Sequence, residues 1–150
     1  MKMKWMPILL VALAGCHTPM QLSRPYQGEL HRQIATADRI VVRDGGQVCC
    51  TKRSDMLKQP VYFTVTNHTE IADVFANTAF EPVLKYNPCA CCGHPGIDWF
   101  RGQKRLAITT WKHGYGILME DGFVGNLTPE SKTWLRAWLL SHGLKEEEIK

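Results

Sequence analysis

The chain has 150 residues, with 18 lysines and arginines against 14 aspartates and glutamates, and a formal net charge of +4 at pH 7. This length suits one domain with a hydrophobic core of its own. The basic residues are scattered and no run of five or more like charges occurs, so the composition argues against a nucleic-acid partner.

The first fifteen residues have the order of a secretory signal. Lys2 and Lys4 give a positively charged start, and residues 5–13 are an apolar stretch that is too short to span a bilayer as a helix. Small residues then lead into Cys16. We predict that residues 1–15 are a signal peptide, which places the rest of the chain outside the cytoplasm.

The segment Leu13-Ala14-Gly15-Cys16 resembles the lipobox of bacterial lipoproteins at all four positions. The resemblance implies cleavage before Cys16 and a lipid on its thiol. Acyl chains, at roughly 0.8 kcal/mol per buried methylene, would then anchor the domain to a membrane. In enteric lipoproteins an aspartate after the cysteine favours the inner membrane. His17 stands there, so the resemblance favours the outer membrane, facing the periplasm. The alternative is an ordinary secretory signal with a chance cysteine.

Residues 16–37 follow the signal and are predicted to be the lipidated N-terminus and a tether. Residues 17–29 contain two prolines and a glycine without an apolar period. Two segments rich in β-branched residues, at 39–43 and 61–65, predict strands. Between them, Asp44-Gly45-Gly46 is a turn signal and the polar residues up to 59 predict a loop.

Two helices are predicted from caps and apolar spacing, over about 67–79 and over 129–142. Asn67 and Thr128 are favourable N-cap residues, and Gly143 suits the left-handed position that follows a helix.

An antiparallel meander is predicted over about 97–127. Strand-like segments alternate there with glycine turns, of which Asp121-Gly122 is the strongest hairpin signal. The elements together predict an α+β domain over 38–145, in which two helices pack on one face of an antiparallel sheet. Residues 146–150 are predicted to be a solvated tail.

The turn at Gly102-Gln103 fixes the register of the first hairpin if it has two residues. The strand that follows would then bring His113 close to the cysteines before residue 97. The resulting pairs are Arg101 with Lys104, Ile97 with Ile108, and Cys92 with His113.

Five cysteines remain after lipidation: Cys49, Cys50, Cys89, Cys91 and Cys92. An extracytoplasmic location favours disulfides. Adjacent cysteines rarely bridge each other because the ring is strained, so we expect the first two to pair with members of the last three, leaving one thiol. Such a bridge closes a loop of about 40 residues and contributes roughly 3–4 kcal/mol in the loop-entropy model.

A metal site is the second interpretation of the same loop. The motif Cys89-x-x-Cys92-Gly93 resembles a zinc knuckle, in which a tight turn directs two sulfurs at one ion. His94 or His113, with Cys49 or Cys50, could complete four ligands, and a thiolate-rich set would also suit copper. A reactive thiol is the third interpretation, and it is the weakest because no helix follows the cysteines to activate one.

The remaining sequence points away from familiar catalytic chemistry. No Gly-x-Ser-x-Gly, Walker loop or His-Glu-x-x-His occurs, and no catalytic residue is assigned. Asp98 stands in an apolar segment, and we expect it on the solvent face of its strand. Residues 89–117 also resemble small uncharacterised bacterial proteins, which implies no activity.

The sequence therefore predicts a membrane-anchored, non-enzymatic binding or structural module without a cofactor, whose partner is an envelope protein or a small ligand. The alternatives are a zinc or copper protein, a thiol oxidoreductase and an inhibitor of an envelope enzyme.

Overall fold

The computed structural model describes residues 23–46, 58–86 and 91–149. Within these ranges the chain forms an open antiparallel sheet of eight strands with helices packed on it, an α+β fold. The strands are β1 (Ser23–Pro25), β2 (Arg39–Arg43), β3 (Val61–Val65), β4 (Phe80–Tyr86), β5 (Gly96–Arg101), β6 (Lys104–Lys112), β7 (Gly116–Met119) and β8 (Phe123–Leu127). The helices are α1 (Glu29–Ile34), α2 (His68–Ala76) and α3 (Pro129–Ser141), with a 3₁₀ turn at Glu146–Glu148. The strand order is β1-β4-β8-β7-β6-β5-β2-β3.

The predicted meander is confirmed as β5 to β8, with each strand antiparallel to the next. The register of the first hairpin begins as predicted, with Arg101 opposite Lys104. It then shifts by one residue at a β-bulge, so that Ile97 pairs with Thr109 and the predicted partner Ile108 was wrong. The bulge leaves β5 and β6 side by side, and their ends still meet.

Both predicted long helices are present. The Asn67 side chain caps α2 by accepting from the amides of Thr69 and Glu70. This helix ends at Ala76, three residues before the predicted end, because the Thr78 hydroxyl donates to the helix backbone at 2.6 Å and β4 begins two residues later.

Helix α3 begins at Pro129 after the Thr128 cap, as predicted. Gly143 follows its end with a φ of 89°, a left-handed conformation that glycine adopts readily.

The two longer helices share one core with the sheet. The Glu70 carboxylate of α2 accepts hydrogen bonds from Trp138 Nε1 at 2.8 Å and from His142 Nε2 at 2.6 Å, which ties α2 to the end of α3. Burial opposes ionisation of Glu70, but the hydrogen bonds from Trp138 and His142 outweigh it and lower the pKa of this carboxyl. Core residues of the helices and of alternate strand positions form a single cluster, so the helices cover the same face of the sheet: Ile71, Val74, Leu135, Leu139, Ile40, Val42, Ile97, Trp99, Ile117 and Met119.

The folded part of the chain begins earlier than the predicted boundary at residue 38. Residues 23–25 form β1 and pair with β4, and Leu30 and Ile34 of α1 are buried in the core. The tether assigned to 16–37 therefore includes β1 and α1, which belong to the fold. The tail is also not fully solvated, because Ile149 is buried.

No helix within the described ranges is long and apolar enough to cross a membrane.

Candidate functional site

Three segments meet at one end of the sheet, which we call the cysteine end: Cys91–His94 before β5, the turn at Asp44–Gly46 after β2, and the turn at Lys112–Gly114 after β6. The backbone of Gly46 is pressed against the cysteine segment, since a Cβ added there would lie 2.3 Å from Cys92 O and 2.4 Å from Gly93 O. The His94 amide donates to Trp111 O at 2.8 Å. Backbone contacts therefore fix the three segments against one another.

A buried ion cluster of Arg43, Asp98 and Arg105 lies next to the cysteine end. Arg43 and Asp98 are each 2 % exposed. Arg43 donates to the carboxylate through Nε at 3.1 Å and Nη2 at 3.2 Å, which is the bidentate geometry of a strong pair. Arg105 adds a third hydrogen bond to the same carboxylate at 3.2 Å. The expectation that Asp98 lies on the solvent face was wrong, because two cations on neighbouring strands compensate its burial.

The same arginine organises the neighbouring turn. Arg43 Nη1 lies 2.5 Å from Gln59 Oε1 and 3.2 Å from Gly46 O, and it also reaches the carbonyls of the two residues before Gly46. One guanidinium thus joins the β2 turn to the start of β3 and to the carboxylate of β5.

The sulfur of Cys91 lies between two basic side chains. Lys112 Nζ is 2.6 Å from Cys91 Sγ and 2.5 Å from Cys91 O, although the lysine side chain is fully buried at the end of β6. His113 Nε2 lies 2.7 Å from the same sulfur, from an exposed position. Neither Cys91 nor Cys92 is a free thiol. The predicted proximity of His113 to the cysteine loop is therefore confirmed.

His113 is held in an unusual backbone conformation. Its φ is 47°, in the left-handed region where histidine, like asparagine and aspartate, occurs more often than most residues other than glycine. The turn directs the imidazole toward Cys91. Gly114 follows with a φ of 67°, so the two residues form a tight hairpin turn between β6 and β7.

A second polar cluster lies beside the first, around His94. His94 Nε2 donates to Asp44 Oδ1 at 2.7 Å and Nδ1 donates to the carbonyl of Glu148 at 2.6 Å. Both ring nitrogens therefore lie within hydrogen-bond distance of an oxygen acceptor. Tyr62 OH donates to the same Asp44 oxygen at 3.3 Å. His94 therefore connects the C-terminal tail to the β2 turn.

The charges of this cluster shift two pKa values in opposite directions. The hydrogen bond from His94 lowers the pKa of Asp44 by favouring its ionised form. Burial, followed by the negative charge of Asp44, raises the pKa of Tyr62 to about 12. The tyrosine is therefore a neutral donor throughout the physiological range and is not poised as a base.

The predicted site residues divide into two groups. Cys91, Cys92, His94 and His113 lie together at the cysteine end, whereas Cys16, Cys49, Cys50 and Cys89 lie outside the described residues. In the part of the chain that the structure describes, no three His, Cys, Asp or Glu side chains are arranged to hold a metal ion. Sequence reasoning missed Arg43, Asp44, Tyr62 and Lys112. The only sequence signal near them was Asp98, a charged residue within an apolar segment.

No protein-family model, curated protein or solved structure matches the chain.

Proposed function

We propose that the protein is a lipid-anchored module of the bacterial cell envelope, held through Cys16 in the outer membrane facing the periplasm. It acts without catalysis, by binding an envelope protein or a small ligand. Its cysteine loop is stapled by disulfides between the Cys49-Cys50 pair and the cysteines before β5. The observation that carries the staple is the contact of Gly46 with Cys92.

The chain geometry supports this pairing. Three residues of extended chain reach at most about 11 Å, and a disulfide joins Cα atoms about 5.5–6 Å apart. Cys49 follows Gly46 by three residues, so a bridge from Cys49 or Cys50 to Cys91 or Cys92 is within reach of the chain. Cys91 and Cys92 are not free thiols, which also supports disulfides at these two residues. A staple would hold the loops of the cysteine end in one arrangement for a partner.

The staple is tested on the full chain, expressed in a bacterial host and purified in detergent without reductant. Non-reducing digestion and mass spectrometry should give a peptide that joins residues 49–50 to residues 91–92, with one thiol free to alkylation after denaturation. Five free thiols would contradict the staple.

The anchor is tested separately by Cys16→Ala, with Cys49→Ser as the matched control. The control should stay with the membrane fraction and carry acyl chains. The Cys16 variant should lose both, and membrane partition that survives in it, together with removal of residues 1–15, would contradict the anchor.

A zinc or copper site is the second candidate, and the contact between Cys91 and His113 favours it. His94 already directs both ring nitrogens at oxygen acceptors, so a metal site would draw on His113 together with Cys89 and Cys92. Metal analysis of the same preparation decides between the two. About one equivalent of metal with five free thiols, lost in His113→Ala, would replace the staple by a metal centre.

A further inference from the structure

We propose that a cleft between helix α1 and the end of β7 binds a small organic cation, with its ammonium group at an acidic rim and its apolar body on the floor. The volume of the cleft is about 340 Å³, near the lower end of the range for ligand pockets. Within the described part of the chain, its lining comes from α1, β6 and the end of β7. This site gives the proposed binding module a class of small ligand, so the proposal rests on that binding function.

The cleft exists because β6 is longer than β7. Strand β7 ends at Met119, opposite Thr109, whereas β6 begins at Lys104. The first part of β6 therefore extends beyond the end of β7, and α1 packs against β6 with Leu30 in the core. Ala107 lies in this part of β6, and its small side chain leaves space between the helix and the sheet.

The floor of the cleft offers mainly apolar contact. Ala107 and Met119 are buried on the face of the sheet that α1 covers. Thr109 lies between them, but its hydroxyl is engaged within the sheet, since it donates to Ile97 O at 2.6 Å and accepts from Trp99 Nε1 at 3.2 Å. A ligand on this floor therefore gains chiefly by removing its own apolar surface from water.

The rim of the cleft is acidic. Glu29 belongs to α1, and Glu120 and Asp121 follow β7. Among the described residues that line the cleft there is no lysine, arginine or histidine. Arg24 binds Glu29 at 3.0 Å and also Asp121, while its guanidinium lies 4.4 Å from the centre of the Phe123 ring. One arginine thus holds two of the three carboxylates in place without balancing all of the negative charge.

The rim and the floor together select a cation with an apolar body. An anionic ligand would meet like charges at the rim, whereas an ammonium group has three donors for the carboxylate oxygens. The rim is partly exposed, so water and salt screen the attraction. Charge therefore contributes selectivity, and the buried apolar area contributes most of the affinity.

The test is an NMR titration of the full chain in a neutral detergent, with isotope-labelled methionine methyl groups. Met119 lies in the cleft, so the shift of its methyl signal reports binding there and not probe dissolved in micelles. Phenethylamine is the probe, and phenethyl alcohol and phenylacetate share its ring but are neutral and anionic. We expect the amine to bind about 5-fold more tightly than the alcohol, which is the size of one exposed ion pair, and the anion to bind most weakly.

A first pair of variants tests the location. Gln33 lines the cleft from an exposed position of α1, so a larger side chain there fills space without entering the core. Gln33→Trp should weaken the binding of the amine and of the alcohol about 10-fold or more, because the probe loses its contacts with the floor. Gln33→Ala, the matched control, should leave both affinities unchanged.

A second pair of variants tests the charge. In Glu29→Gln with Glu120→Gln, the remaining carboxylate of the rim is balanced by Arg24, so the amine and the alcohol should bind equally. Glu130→Gln with Glu147→Gln removes the same charge from exposed positions elsewhere and should keep the preference for the amine.

The cation site and the proposed module fail separately. No saturable shift of the Met119 signal with millimolar phenethylamine, equal binding of phenylacetate, or full binding in Gln33→Trp would overturn the site. Each of these results leaves the anchor and the staple in place, because those are measured by acylation and thiol counts. A Cys16 that carries no lipid would refute the anchor, and the titration would still decide whether the cleft binds cations.

Discussion

Replacing Asp98 by asparagine should destabilise the domain more than any exposed substitution. The change keeps the size and shape of the side chain and removes only its charge. Asp98 accepts three hydrogen bonds from Arg43 and Arg105, and both it and Arg43 are 2 % exposed. An amide has a single acceptor oxygen, and its NH₂ group would point donors at a guanidinium that offers only donors.

The size of the effect follows from the burial. Removing one partner of a buried pair leaves the other charge uncompensated, at a cost of about 3–5 kcal/mol. The total stability of a domain is about 5–15 kcal/mol, so this loss is a large fraction of it. With an m-value of about 2 kcal/mol/M, the urea midpoint should fall by about 2 M.

Equilibrium urea unfolding, followed by tryptophan fluorescence, measures this loss, and Asp121→Asn is the matched control. Asp121 pairs with Arg24 at an exposed position, where an ion pair contributes about 0–1 kcal/mol. The control midpoint should therefore move by about 0.5 M or less. A midpoint for Asp98→Asn that matches the control would show that the neutral acceptors of Arg43, such as Gln59 and Gly46 O, are sufficient, and the role assigned to the buried carboxylate would be wrong.

Three further predictions concern the His94 cluster and the tail. Because the pKa of Asp44 is lowered in the fold, its ionised carboxylate stabilises the domain above its unfolded pKa, near 4. This contribution is lost as the pH falls through the lower pKa of the folded state. Asp44→Asn should therefore make stability depend less on pH in acid, as measured by urea midpoints between about pH 2 and 6. The raised pKa of Tyr62 has the opposite sign, so stability is full below the unfolded value, near 10, and falls as the pH rises toward about 12. Ultraviolet titration of the phenolate, with Tyr62→Phe as the difference, should show this late ionisation, and an ionisation near pH 10 would refute the burial of the phenol beside Asp44. Ile149→Ser should lower stability by about 1.5–3 kcal/mol because the side chain is buried, whereas the exposed Glu147→Ser should not; equal midpoints would mean that the tail is solvated after all.

The sequence predicted those elements whose signals are local. Turn glycines, N-caps and β-branched runs place β2, β3, the meander and both long helices within a few residues. Strand β4 was missed because Leu84 is its only buried residue and Pro82 interrupts it, so neither alternation nor propensity marks it as a strand. Strand β1 and helix α1 are short, and the contacts that hold them come from distant chain, such as His31 with Thr78 O.

The sequence predicted the site only where strand register determines which residues are neighbours. A two-residue turn at Gly102 was enough to bring His113 to the cysteines, since a slip of one residue changes faces but leaves strand ends together. The bulge that caused the slip has no sequence signal. The partners of Asp98 could not be found, because Arg43 lies 55 residues away and the pairing of β2 with β5 is not encoded locally.

Lys112 is the residue whose role depends most on the folded context. At the end of a strand and before a turn, a lysine ordinarily extends into solvent, and its sequence position predicts no more than that. Here its ammonium is buried against the carbonyl and sulfur of Cys91. Burying an ammonium is unfavourable unless acceptors compensate it. The carbonyl of Cys91 accepts from this ammonium, so the packing of the cysteine segment against the end of β6, and not the sequence around Lys112, decides where the charge lies.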